Sequence, residues 1–106
     1  MTTFEDRKKG AEGKWKHDAE LEFKATARRN KLLGLWLAEQ FGITGDEAAA
    51  YARTVVESDF ERPGDSDVVE KVLADCKAHN LDMDEYRIRR EMDRLMGEAR
   101  TQILAQ

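Results

Sequence analysis

Between Leu32 and Phe41 the chain reads LLGLWLAEQF, and its apolar side chains occupy most of the circumference of a helix. With 38% of the 106 residues charged, such a stretch can be covered only by the rest of the molecule folding around it. It closes the longest periodic segment, from about Asp18 to Phe41. There Leu21, Ala25, Leu32, Leu35 and Trp36 share one face, and Leu33, Leu37 and Phe41 form a second stripe. Gly34 in the middle costs helix propensity of ~1 kcal/mol relative to Ala, so its expected use is to let another helix come close. Gly42 is the expected stop.

Three more helices follow from punctuation. Thr44-Gly45-Asp46-Glu47 has the form of a capping box and predicts a helix from about Gly45 to Phe60, with Ala48, Ala52, Val55, Val56 and Phe60 inward. Arg62-Pro63-Gly64-Asp65 breaks it. Asp65 or Ser66 then caps a third helix with Val68, Val69, Val72, Leu73 and Cys76 at helical spacing, ending near Ala78 to Asn80. Asp82-Met83-Asp84-Glu85 predicts a last helix from Met83 to about Leu104, with Ile88, Met92, Leu95, Met96, Ala99 and Ile103 on its core face. No run alternates like a strand. The expected fold is all-α: a four-helix bundle over residues 18–106, preceded by a mobile N-terminal segment, residues 1–17.

One modest core is all that this length supports. A lone Cys76 cannot close an intramolecular disulfide, and no Cys/His set has zinc-ligand spacing, so packing must hold the fold. No apolar run approaches the roughly 20 residues of a membrane span, and no secretory leader is recognisable, which predicts a soluble intracellular protein. The formal charge of −4 argues against a general nucleic-acid binder. That charge is unevenly spread: residues 1–31 carry nine Lys+Arg and six Asp+Glu, whereas residues 32–106 carry nine and sixteen.

Within residues 1–17 the large apolar residues are Phe4 and Trp15, too few to offset the entropy of ordering the segment alone. Phe4, Ala11 and Trp15 would nevertheless make one narrow stripe on a helix, flanked by Arg7, Lys8, Lys9, Lys14 and Lys16. Two readings stand: a segment that becomes helical on docking into a partner's groove, or a solvated tail continuing the first helix.

Catalytic motifs are missing from the sequence. There is no phosphate-binding loop, dinucleotide fingerprint or nucleophile elbow, and Gly10-Ala11-Glu12-Gly13-Lys14 has the wrong spacing for the first. His17 and His79 read as surface or capping residues, and Cys76 as a buried small hydrophobe. The carboxylates Asp65 and Asp67, and Asp82, Asp84 and Glu85, read as helix caps and not as a cation site. The cationic groups Arg28, Arg29 and Lys31 and Arg87, Arg89, Arg90 and Arg94 read as salt-bridge partners of an acidic bundle, or as a phosphate site if their helices lie side by side. No catalytic residue, metal or cofactor is expected, and the chain does not read as an enzyme.

The run Arg28-Arg29-Asn30-Lys31-Leu32-Leu33-Gly34-Leu35-Trp36 is specific in composition and order. With Phe4, Asp6, Arg7 and Lys9 before it and Ile88-Arg89-Arg90 after it, the chain resembles, over essentially its whole length, the zeta subunit of α-proteobacterial F-type ATP synthases. That resemblance implies a four-helix inhibitor that blocks ATP hydrolysis by the catalytic head while sparing synthesis. Its N-terminal segment would insert at an interface of the alpha, beta and gamma subunits, which places the protein in the cytoplasm beside the inner membrane. Carried over by position, the inhibitory residues are Phe4, Asp6, Arg7, Lys9, Glu12, Lys14 and Trp15. The chain departs from the family pattern at Lys8, Gly10, Ala11 and Gly13, and the two glycines would weaken a bound helix by roughly 1 to 2 kcal/mol. The resemblance also implies a second function, adenine-nucleotide sensing with ATP or ADP as ligand, for which Arg28, Arg29, Lys31, Arg89 and Arg90 are the candidate residues. A basic-tailed RNA-binding adaptor is a third reading. The free protein is expected to be a monomer.

Overall fold

The computed structural model describes residues 2–60 and 64–105, with side chains from residue 19 onward. Four helices follow in order: α1 (Thr2–Phe41), α2 (Gly45–Ser58), α3 (Ser66–Ala78) and α4 (Glu85–Leu104), and among the described residues there is no strand. The all-α four-helix architecture expected from the sequence is the one observed. The mobility expected of residues 1–17 concerns a stretch that lies outside the residues described with side chains.

α1 is the central element, packing chiefly on α2 and α4, while α3 closes the core. Its buried line is Leu33, Leu37 and Ala38, each fully excluded from solvent, and not the neighbouring Leu32, Leu35 and Trp36, which are half-buried. The apolar band around this helix is wide, so periodicity gives its presence but not which edge lies deepest. Facing it are Val55, then Val68, Val69, Val72 and Cys76, then Ile88, Met92 and Leu95. Phe60 departs from its expected inward place: α2 ends at Ser58, before the next helical turn, and Phe60 is 63% exposed.

Helix ends explain the short connections. α1 stops in a Schellman arrangement in which the Ile43 amide donates to the Ala38 carbonyl at 2.8 Å across Gly42, whose φ of +78° suits a residue without Cβ. α3 stops the same way, with Leu81 donating to Cys76 across Asn80 at φ +56°. The starts differ from expectation in detail. Thr44 is the N-cap of α2, but its hydroxyl makes no capping bond. Asp84, not Asp82, caps α4, accepting from the Arg87 amide at 2.8 Å, so that helix begins two residues later than expected.

Two contacts fasten α1 to α2 and to the start of α3. The first is backbone proximity: a Cβ placed on Gly34 would stand 2.5 Å from the Ala52 Cα and 3.0 Å from its Cβ. α2 can sit this close only because position 34 has no side chain and position 52 a small one. The second is polar. Arg29, 4% exposed, donates through both terminal nitrogens to Asp65 (3.2 and 2.8 Å) and through Nε and Nη2 to Asn30 Oδ1 (3.1 and 2.9 Å). Asp65 is the N-cap residue of α3, yet its carboxylate makes no capping bond, being given to Arg29 instead. A bidentate arginine fixes both the distance and the angle between α1 and the start of α3.

Asp59 stands beside this pair. Burial pushes its carboxyl above the ordinary range, with Asp65 adding to the rise and Arg29 opposing it. The Asn30 amide nitrogen is near enough to favour the ionised form but forms no hydrogen bond of acceptable geometry. At the far end of α1, Phe41 stacks on His79 at 4.0 Å and meets Tyr51 edge-on at 5.5 Å. The Tyr51 hydroxyl donates to Asp75 at 2.8 Å, and Lys71 donates to the same carboxylate oxygen at 2.9 Å. His79 thus has the surface place expected of it, and it also covers the end of α1.

Gly34→Ala should lower stability by about 1 to 3 kcal/mol in chemical denaturation despite alanine's better helix propensity, because the new methyl meets backbone. A Cβ on Gly97 of α4 would meet nothing within 4 Å, so Gly97→Ala should instead raise stability by about 0.5 to 1 kcal/mol. A Gly34→Ala protein as stable as the parent would refute the close approach. Asp59 binds its proton more tightly folded than unfolded, so ionising it disfavours the fold and stability falls as pH rises through its raised titration range. Asp59→Asn should therefore raise the melting temperature at pH 7, with the gain vanishing below about pH 4, where the carboxyl is protonated in both states.

Candidate functional site

The seven residues of the expected inhibitory segment, Phe4, Asp6, Arg7, Lys9, Glu12, Lys14 and Trp15, lie outside the residues described with side chains. Among the described residues the nonapeptide beginning at Arg28 is the natural place to look for a site, and the structure gives most of its members structural work. Arg28 donates to Gln102 on α4 at 2.7 Å, tying α1 to α4. Arg29 and Asn30 make the buried connection to Asp65, Leu33 fills the core and Gly34 admits α2. Lys31, by contrast, is exposed to solvent.

The two candidate arginine groups do not meet. Arg28 pairs near the C-terminal end of α4, whereas Arg89 and Arg90 sit near its start, roughly 18 Å away at 1.5 Å per residue. Arg89 reaches back to Glu85 at 3.5 Å, an exposed helical pair of small energetic weight. Arg90 instead lines a cleft of about 390 Å³ with Trp36, Arg87, Glu91 and Arg94. Arg87, Arg90 and Arg94 are spaced by three and four, which sets them on one face of α4 against the half-buried indole. That spacing was visible in the sequence; the meeting with Trp36 was not, because it depends on the register between α1 and α4. Glu91 is bonded to Arg94, leaving the cleft rich in cationic groups.

Cys76 is 1% exposed in the core, and burial pushes its thiol pKa up, opposite to what a reactive thiolate requires. Glu22 and Arg100 form a bidentate pair across α1 and α4 at 2.8 and 2.9 Å, and the hydrogen bonds from Arg100 hold the Glu22 carboxyl below its ordinary range. Among the described residues no group of His, Cys, Asp and Glu could hold a metal ion, and no helix is long and apolar enough to cross a membrane.

Comparison with known proteins agrees with this organisation. A protein with a solution NMR structure is 47% identical, with a TM-score of 0.71, over 80% of this chain and 96% of its own. No curated protein matches. The family described as ATPase inhibitor subunit zeta matches residues 1–102, spanning the N-terminal segment and nearly the entire bundle. The chain therefore belongs to the ATPase inhibitor subunit zeta family.

Proposed function

We propose that this chain is a non-catalytic regulatory subunit that binds the catalytic head of the F-type ATP synthase and blocks ATP hydrolysis, with its N-terminal segment inserted at an interface of the alpha, beta and gamma subunits. The observation that carries this reading is the family match beginning at residue 1, so that the latent stripe of Phe4, Ala11 and Trp15 and the four-helix body belong to one unit. Blocking needs no chemistry from the inhibitor. A helix lodged in a catalytic interface prevents the closing motion on which hydrolysis depends, and basic residues beside the stripe add charge-assisted contacts. The body acts as the handle: α1 carries the segment and is itself held by Gly34 against α2 and by Arg29 against Asp65. On this reading the protein works at the inner membrane surface through its partner.

Deleting residues 1–16 should leave the bundle folded, since every buried residue described lies at or after Ala25, and should abolish inhibition in a hydrolysis assay of the purified head. Undiminished inhibition by the truncated protein would refute the insertion.

A second reading has its own observation. The cleft of Trp36, Arg87, Arg90 and Arg94 pairs an aromatic face with guanidinium groups, of which Arg87 and Arg90, unlike Arg94, form no ion pair among the described residues; an aromatic face with two such groups is the combination that stacks a purine and neutralises its phosphates. Of the residues proposed for nucleotide from sequence, Arg90 lies in it; Arg28, Arg29, Lys31 and Arg89 do not line it. Titration with ATP should shift the amide resonances of Trp36, Arg87 and Arg90 and leave Arg28 and Arg29 still; shifts confined to the latter pair would refute this placement.

A further inference from the structure

We propose that the groove between α1 and α2 is a second docking site, occupied by an acidic amphipathic helix on the surface of the same catalytic head. The inference rests on the inhibitor reading and assigns the four-helix body a contact of its own. Two adjoining clefts, of about 420 and 310 Å³, share Lys31 and Val56 and run along the two helices. Their apolar floor includes Ala27 and Val56, with Phe23 at one end, and their rim carries Lys24, Lys31 and Arg53.

Three features set this groove apart from ordinary surface. Phe23 is 66% exposed, a large apolar side chain uncovered where the floor of the groove opens. No carboxylate lines either cleft. Lys24, Lys31 and Arg53 form no ion pair among the described residues; Arg87 and Arg90 in the cleft beside Trp36 form none either, but that cleft has Glu91 in its lining and this groove has no carboxylate. In a chain with more acidic than basic residues, a row of unpaired cations around an apolar floor calls for carboxylates from outside. The trough between two packed helices accepts the ridge of a third. From Phe23 to Lys31 it offers about 12 Å along α1, two helical turns, so the matching ligand is a helix with an apolar stripe flanked by Asp or Glu.

The position of the groove points to the head and not to an unrelated partner. Phe23 follows Trp15 by eight residues, a span under about 30 Å even if fully extended, so delivering the N-terminal segment to the head brings this end of the groove to its surface. A second copy of the chain, also acidic, is the competing occupant.

The test uses full-length protein, Lys24→Glu/Arg53→Glu and Phe23→Ala, each titrated against purified catalytic head at two salt concentrations, with thermal melting to verify folding. Both variants should bind about tenfold or more weakly, and the affinity of the charge variant should also fall less steeply with salt than that of the parent, the remaining dependence coming from the basic N-terminal segment. Unchanged affinity and salt dependence in both would overturn the proposal while leaving inhibition by the parent protein intact. Should the charge variant melt early, Phe23→Ala decides alone, because its side chain supports little of the core. Self-association of the parent that the charge variant abolishes, with head affinity unchanged, assigns the groove to a second copy and overturns the proposal. A parent protein that neither binds nor inhibits the head defeats the inhibitor reading and this inference together.

Discussion

The bundle depends on how closely α2 can approach α1 at Gly34. A methyl group there would collide with the Ala52 backbone, so the separation of these two helices is set by an absent side chain. Close approach lets Val55 reach the buried Leu33 and Leu37 line without a large residue to span the gap. It also leaves small residues along the α1–α2 seam, Ala27, Ala49 and Ala52, which is why the seam is a trough and not a filled ridge. The core contact and the surface groove are thus two consequences of one spacing.

Arg29 makes the complementary demand. A nearly buried guanidinium without partners would cost several kcal/mol, and the structure meets that cost with four hydrogen bonds to Asp65 and Asn30. Such a pair adds little net stability compared with well-packed apolar residues, but it tolerates only one geometry. Its effect is to specify where the chain re-enters the bundle at the start of α3. Asp59, in the same neighbourhood, has its carboxyl pushed up chiefly by burial, which Arg29 offsets only in part.

What the sequence revealed and what it concealed follow from the range of the forces involved. Helix existence, the glycine stop at Gly42 and the buried faces of α3 and α4 depend on residues within one or two turns, and these were legible. So was the purpose of Gly34, because a glycine inside an apolar helix sacrifices propensity that the close packing of a neighbour offsets. The deeper edge of α1 was not: Leu33 and Leu37 against Leu32 and Trp36 differ by one step around a helix that is apolar on most sides. Phe60 was misplaced inward because helical spacing was carried past the point at which α2 ends. Arg29 is the salt-bridge partner of an acidic residue that its sequence suggested, but which residue could not be read, because Asp65 lies 36 positions away; the same pairing leaves Asp65 at the N-cap of α3 without a capping bond. The cleft of Trp36 with Arg87, Arg90 and Arg94 likewise required the register between two helices that periodicity does not supply.

The nonapeptide that carries the family resemblance consequently has a physical meaning different from that of a ligand motif. Arg28 is bonded to Gln102 and Arg29 is buried against Asp65, so both arginines have partners inside the bundle. What the run encodes is the attachment of α1 to α2, α3 and α4 at successive positions, through Gly34, Arg29 and Arg28 respectively. An inhibitor that blocks by insertion needs such attachment, since force applied to the N-terminal segment by a moving enzyme is transmitted along α1 into whatever holds it. A helix anchored to three neighbours within seven residues is fastened to its own body, so that under the proposed insertion a load on its front end would be borne by the whole bundle.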